Sequence, residues 1–144
     1  MIARAVGALA LLLAIVGIGV SGYLAIQNLQ GETGICVGVH GCATVQNSRY
    51  GEWFGTPVSV FGLALYTFLA GTSLAWHLNL RERRPELVLL WFLGALAGLL
   101  MSAYFTYLEA FVLDAWCFYC IVSALLMTGL FLAWSAMLAI HIRE

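Results

Sequence analysis

The sequence predicts an all-α membrane protein: a four-transmembrane-helix bundle with an extracytoplasmic cysteine-bearing loop and a short surface helix. Three observations predict it. Of the 144 residues, 63% are apolar and only 9% are charged, far from a soluble globular composition. Three polar breaks divide the chain into four apolar runs, each near the roughly 20 residues that a helix needs to cross about 30 Å of hydrocarbon. The arginines, finally, fall almost wholly on one side of a four-span arrangement.

The spans are expected at about 5–25, 57–77, 87–111 and 117–140, within a single membrane domain covering 1–144. The first follows Arg4, as a signal peptide would, but its apolar stretch exceeds the usual 7 to 15 residues and no A-x-A site follows, so it is read as a span. Arg4, Arg81, Arg83, Arg84 and Arg143 lie on one side of the arrangement and only Arg49 on the other. The positive-inside rule then puts both termini and the turn around 81–86 in the cytoplasm. The net charge of −1 and the scattered arginines argue against nucleic acid as a partner; membrane lipid is the implied surrounding.

Between the first two spans runs a loop over 27–56, holding six of the fifteen glycines. Its start, Gln30-Gly31-Glu32-Thr33-Gly34, reads as a turn, and Ala43 to Tyr50 is expected to form the surface helix. Pro57 suits the first turn of the second span. Gly94 and Gly98 form a G-x-x-x-G face in the third, which lets backbones approach closely.

The chemistry rests on four cysteines, Cys36, Cys42, Cys117 and Cys120, all on the outer side of the predicted topology, where disulfides persist. Cys117-Phe118-Tyr119-Cys120 is a C-x-x-C at the opening of the fourth span. Helix positions i and i+3 share a face, and the positive end of the helix favours the thiolate of the first cysteine. Cys117 is therefore suited to disulfide exchange, while Cys120, one turn deeper, faces the bundle interior. Cys36 and Cys42 lie in the glycine-rich loop, where they can meet a bulky outside protein. A loop pair beside a helix-anchored pair is what a mixed-disulfide relay requires. The same residues also admit two static bridges in a disulfide-stapled structural protein. Structural zinc fits less well, since a tetrathiolate site usually joins two C-x-x-C knuckles and only one is present; no metal is expected. A transporter fits poorly as well, because no span carries a charge near its middle.

Trp116-Cys117-Phe118-Tyr119-Cys120-Ile121-Val122-Ser123-Ala124 resembles the C-x-x-C segment of the vitamin K epoxide reductase family, and Tyr104 to Leu113 resembles its lead-in. Cys42, Asn47-Ser48-Arg49-Tyr50-Gly51 and Phe54-Gly55 resemble the family's loop pattern, while Phe61-Gly62 and Tyr66 match its second-span signature. The likeness covers nearly the whole chain. Quinone-linked oxidases of the DsbB type have a similar span and cysteine count, but their C-x-x-C comes in the first outer loop, whereas here it comes last.

The resemblance implies a bundle around a quinone, ubiquinone or menaquinone, in the cell inner membrane. It implies an oxidoreductase that reoxidises a secreted DsbA-like thioredoxin-fold protein. Cys36 would receive electrons from that partner, Cys42 would attack the Cys117–Cys120 disulfide at Cys117, and Cys120 would face the quinone. Ser48 falls at the family's hydroxyl position and is a candidate hydrogen-bond donor to a quinone oxygen. Tyr50, Phe61, Phe105 and Phe118 are candidate pocket walls. His40 is a candidate base beside Cys42, and Glu109 and Asp114 are candidate proton relays, Asp114 equally a candidate helix cap. Where the animal enzymes carry an Asn and a Tyr, this chain has Val58 and Ala124, which makes a vitamin K epoxide reductase proper the weaker alternative. No thioredoxin-like segment follows Glu144, so the partner is expected to be a separate protein.

The topology is open to direct test. A membrane-impermeant maleimide added from the outer side should label the reduced protein's cysteines, and labelling that required opening the cytoplasmic compartment would reverse the orientation.

Overall fold

The computed structural model describes residues 1–31, 41–78 and 85–143; Cys36, His40 and the arginines at 81, 83 and 84 lie outside them. Among the described residues, four helices are long and apolar enough to cross a membrane. Helix α1, Ile2–Leu29, is 28 residues long, about 42 Å at 1.5 Å per residue, and overruns the expected span at both ends. The surface helix α2 is Cys42–Gln46. It starts at the cysteine and ends four residues short of the expected limit, because the Ser48 hydroxyl donates to the Val45 carbonyl at 2.7 Å and turns the chain out of helical winding.

A feature absent from the sequence reading follows, a two-stranded antiparallel hairpin of β1, Glu52–Trp53, and β2, Thr56–Pro57. Its tip, Phe54-Gly55, carries positive φ at both residues, 54° and 77°, the geometry that matches a two-residue turn to the twist of its strands. Pro57 pairs with Glu52 in this ladder and keeps an extended ψ of 139°. It therefore stands just before α3, Val58–His77, rather than in its first turn. Helix α4, Pro85–Tyr107, runs into a π-helical turn, Leu108–Val112. Helix α5 is Phe118–Arg143, so Cys117 immediately precedes it.

Packing follows residue size more than polarity, because both the lipid and the bundle interior are apolar. The buried face of α1 is Gly7, Ala10, Ala14, Gly17, Ser21 and Leu24, spaced alternately three and four residues apart as in a left-handed helix pair. Its larger residues, including Leu9, Leu12, Ile15 and Val16, point outward. The small stripe lets α1 lie against α3 and α5, while α4 packs on α5 and touches α3 more lightly. Gly7 receives the Trp76 ring and Gly17 the Tyr66 ring. Gly98 of the G-x-x-x-G face lies between Leu65 and Met127, and Gly94 beside Leu69. At the end that holds the termini the core is closed by Trp91 and Trp134, with ring centroids 4.5 Å apart.

Gly17 yields a packing test. A methyl group there meets the Tyr66 ring at less than contact distance, so Gly17→Ala should destabilise the bundle by about 1–3 kcal/mol through overpacking. Thermal unfolding in detergent measures this. An unchanged midpoint would show that Tyr66 does not rest on α1 as described.

Candidate functional site

The site is assembled where the loop meets the start of α5. The Gly41 N–H donates to the Trp116 carbonyl at 3.0 Å, and a side chain at position 41 would strike the Trp116 backbone. Only glycine permits this approach, and it sets the start of α2 against Cys117. Cys42 and Cys117, 2% and 0% exposed, share one buried cluster with Val45, walled by Leu113, Ala115, Phe118 and Tyr119. Cys42 is disulfide-bonded, whereas Cys117 and Cys120 carry free thiols.

Several donors converge on the Cys117 sulfur. The Cys120 thiol donates to it, as do the backbone N–H groups of Cys120 and Tyr119 and the Gln46 side chain, whose Nε2 lies 3.8 Å from Sγ. The Cys117 carbonyl accepts the Ile121 N–H at 3.1 Å, so this residue caps α5 and its sulfur lies at the positive end of the helix. Led by the Cys120 hydrogen bond, these contacts outweigh burial and bring the thiol from its usual 9.0 down to about 7. The cap contact expected of Asp114 goes elsewhere. Asp114 turns the chain at φ 49°, and the Glu109 carboxylate accepts the Cys117 N–H, at 3.3 Å.

Beside Cys120 opens a cavity of about 200 Å³, bounded by the loop-side halves of all four long helices. Its walls are largely apolar, with Val20, Leu24, Val58, Leu65, Met101 and Met127 among them. Trp53, from the hairpin, closes over it, its ring 5.8 Å from Phe61 and 6.4 Å from Phe105. The polar groups are few. The Tyr66 hydroxyl lies 3.1 Å from the Ser123 carbonyl and 2.9 Å from its Oγ. Asn28 Nδ2 donates to Ser59 Oγ at 3.0 Å. Gln46 Oε1 is buried and accepts no hydrogen bond among the described residues.

The structure therefore brings Cys42, Cys117 and Cys120 together and lines the cavity with Cys120, Phe61 and Phe105. Ser48 and Tyr50 lie outside that lining: the Ser48 hydroxyl is held by Val45, and Tyr50 takes the Arg49 guanidinium over its ring at 4.9 Å and on its hydroxyl at 2.8 Å. Phe118 packs beside Cys42 and Cys117 rather than in the cavity. Cys36 and His40 lie outside the described residues. Gln46, Trp53, Tyr66 and Ser123 take places that the sequence reading did not assign them. Tyr66 and Ser123 stood inside quoted motifs, so a signal existed for those two. Gln46 and Trp53 gave none, because their approach depends on where α2 and the hairpin fold back.

A helical membrane bundle with a dithiol at the mouth of an apolar cavity defines a class, the membrane-embedded thiol–disulfide oxidoreductases. The pattern of the Vitamin K epoxide reductase family matches residues 8–134, and the chain belongs to that family. It is a multi-pass membrane redox enzyme of a family whose members are in general linked to quinones and served by a redox partner. No individual curated protein matches it.

The donor set around Cys117 gives a titration to perform. With the loop pair oxidised, thiolate absorbance in the ultraviolet should rise through a midpoint near pH 7, where the ordinary thiol is still protonated. Cys120→Ala removes the strongest donor and should move the midpoint upward, and Gln46→Leu should move it upward by less. A midpoint near 9.0 in the unsubstituted protein would contradict the described hydrogen bonding.

Proposed function

We propose that this protein is a quinone-dependent thiol oxidase of the cell inner membrane, with cytoplasmic termini and its cysteines at the outer face. It draws electrons from a DsbA-like thioredoxin-fold protein and passes them to ubiquinone or menaquinone. The observation that carries this reading is the division of labour between the two sulfurs of the C-x-x-C: Cys117 is sealed under α2 in one cluster with Cys42, while Cys120 opens onto an apolar cavity. The first sulfur is enclosed by protein, and of the two only the second also reaches the cavity.

The cavity fits a quinone head group. A flat, apolar ring is matched by Phe61, Phe105 and Trp53, while Tyr66 and Ser123 supply hydroxyls to its oxygens and the unpartnered Gln46 Oε1 can receive a hydroxyl proton. Bound there, the quinone supplies a two-electron sink. The protein's own residues do the rest. Cys36 takes the outside disulfide exchange, and Cys42, released as a thiolate, attacks Cys117 Sγ. Cys120 leaves with the electron pair of the broken bond; the partner's second thiol then frees Cys36, which attacks Cys42 Sγ and expels Cys117 as a thiolate as the loop pair closes again. The low thiol pKa of Cys117 keeps a thiolate ready near neutral pH. Val58 lines the cavity where the animal enzymes present an Asn, which favours a quinone over an epoxide as the substrate.

Two measurements test this. Thiols counted before and after quinone addition should fall by two for each quinone consumed, and a count that ignored quinone would leave only a disulfide-stapled structural protein. In the double variant Cys36→Ser with Cys120→Ser, both resolving thiols are gone and a Cys42–Cys117 disulfide should accumulate. Free thiols at both positions by mass spectrometry would refute the order of exchange.

A further inference from the structure

Glu109 is the one acidic side chain buried among the described residues, 1% exposed, and the exchange steps above leave it unused. An ionisable group inside a lipid-surrounded bundle is expensive to keep and, where it is kept, faces a partner or a pathway. Its placement is unusual as well. It lies in the π-helical turn Leu108–Val112, and such turns often mark functional sites because they aim a side chain that regular winding would direct elsewhere. The Ala115 N–H donates to the Glu109 carbonyl at 3.1 Å and fixes that turn against the approach to Cys117.

The two carboxyl oxygens differ. Oε2 accepts the Cys117 N–H at 3.3 Å, whereas Oε1 is buried with no hydrogen bond among the described residues. The carboxyl also faces the Cys120 thiol closely enough to interact with it. Glu109 itself does not line the cavity, so an oxidant there meets the Cys120 sulfur from one side while the carboxyl faces it from within the protein. The titratable groups around the pair are Cys117 and Cys120, with Tyr119 and Tyr23 beside them. No cation faces it among the described residues.

We propose that Glu109 is the immediate proton acceptor for the Cys120 thiol when the Cys117–Cys120 pair is oxidised. This rests on the thiol–disulfide reading of the site but not on the identity of the oxidant. The Cys120 S–H bond breaks with both electrons left on sulfur, and the proton moves to the free Oε1. The S–S bond then forms between Cys120 and the Cys117 thiolate as two electrons pass to an oxidant of the quinone or diazene class. That oxidant takes up two protons, one from Glu109 and one from water. A general base so placed typically contributes 10²-fold or more.

The test uses the full chain in detergent with the C-x-x-C pair reduced, and the diazene diamide as a small oxidant that needs no quinone. Glu109→Gln should slow disulfide formation by roughly 10²-fold at neutral pH, and the deficit should shrink as pH rises and hydroxide replaces the missing base. Glu109→Asp should retain most of the rate. A Glu109→Gln rate equal to wild type, or a loss that is the same at every pH, would overturn the proposal. Infrared difference spectra of oxidised against reduced protein give a readout independent of turnover and of how the variants fold. The wild type should show a carboxylate band that shifts with the redox state, because the carboxylate faces a thiol proton on Cys120 in the reduced protein and none in the disulfide, and that band should be missing in Glu109→Gln; a wild-type spectrum without it would also overturn the proposal. Repeating the oxidation with a soluble quinone separates the two readings. If diamide reveals the Glu109 dependence while quinone is not consumed, the quinone acceptor fails and the proton acceptor stands.

Discussion

The contact on which the rest of the site depends is the hydrogen bond from the Gly41 N–H to the Trp116 carbonyl. It ties the returning loop to the residue before Cys117, and every further approach follows from it. Because the chain is fixed there, α2 begins directly over the fourth span, Cys42 and Val45 bury against Cys117, and Gln46 ends within reach of its sulfur. A bundle in lipid has little hydrophobic force to gather its helices. A short backbone-to-backbone clamp, possible only without a side chain at position 41, does the gathering instead.

That clamp also divides two environments a few ångströms apart. Cys117 lies on the protein side, surrounded by donors that stabilise a negative sulfur, and Cys120 lies at the wall of an apolar space with few polar groups. Exchange between sulfurs needs an available thiolate and a route for a second sulfur to approach. Electron transfer to a membrane-soluble ring needs a dry cavity that holds the ring near one sulfur. One turn of helix separates the two requirements, which explains why the C-x-x-C opens a span and does not lie in the middle of a loop.

The fold was legible in the sequence to the extent that membrane physics writes it there. Four apolar runs of spanning length could be read directly, and their ends moved by only a few residues. The inward faces were not legible. In a soluble helix the apolar face is the buried one, but α1 is apolar all round and is sorted by size, with Gly7, Ala10, Ala14 and Gly17 inward and Leu9, Leu12 and Ile15 outward. Of the candidate site, the three described cysteines could be read from spacing, and Phe61 and Phe105 from resemblance. Trp53 and Gln46 could not, since their positions depend on a hairpin of two-residue strands and on a helix that ends early at Ser48. Glu109 was visible as an acid near the end of a span. What was hidden was the change of winding that brings it to the cysteines.

That change of winding has a consequence for which alterations the chain can accept. A π turn amounts to one residue more than an α-helix needs over the same rise, and each residue turns an α-helix by about 100°. Deleting any single residue of Leu108–Val112 would return the segment to regular pitch and swing whatever precedes it by about that angle relative to Cys117. Most apolar positions of the stretch can change identity, yet its length cannot change by even one. Apart from the buried Leu108 and Glu109, this part of the gene should therefore tolerate substitutions while remaining closed to insertions and deletions, the reverse of what surface loops permit.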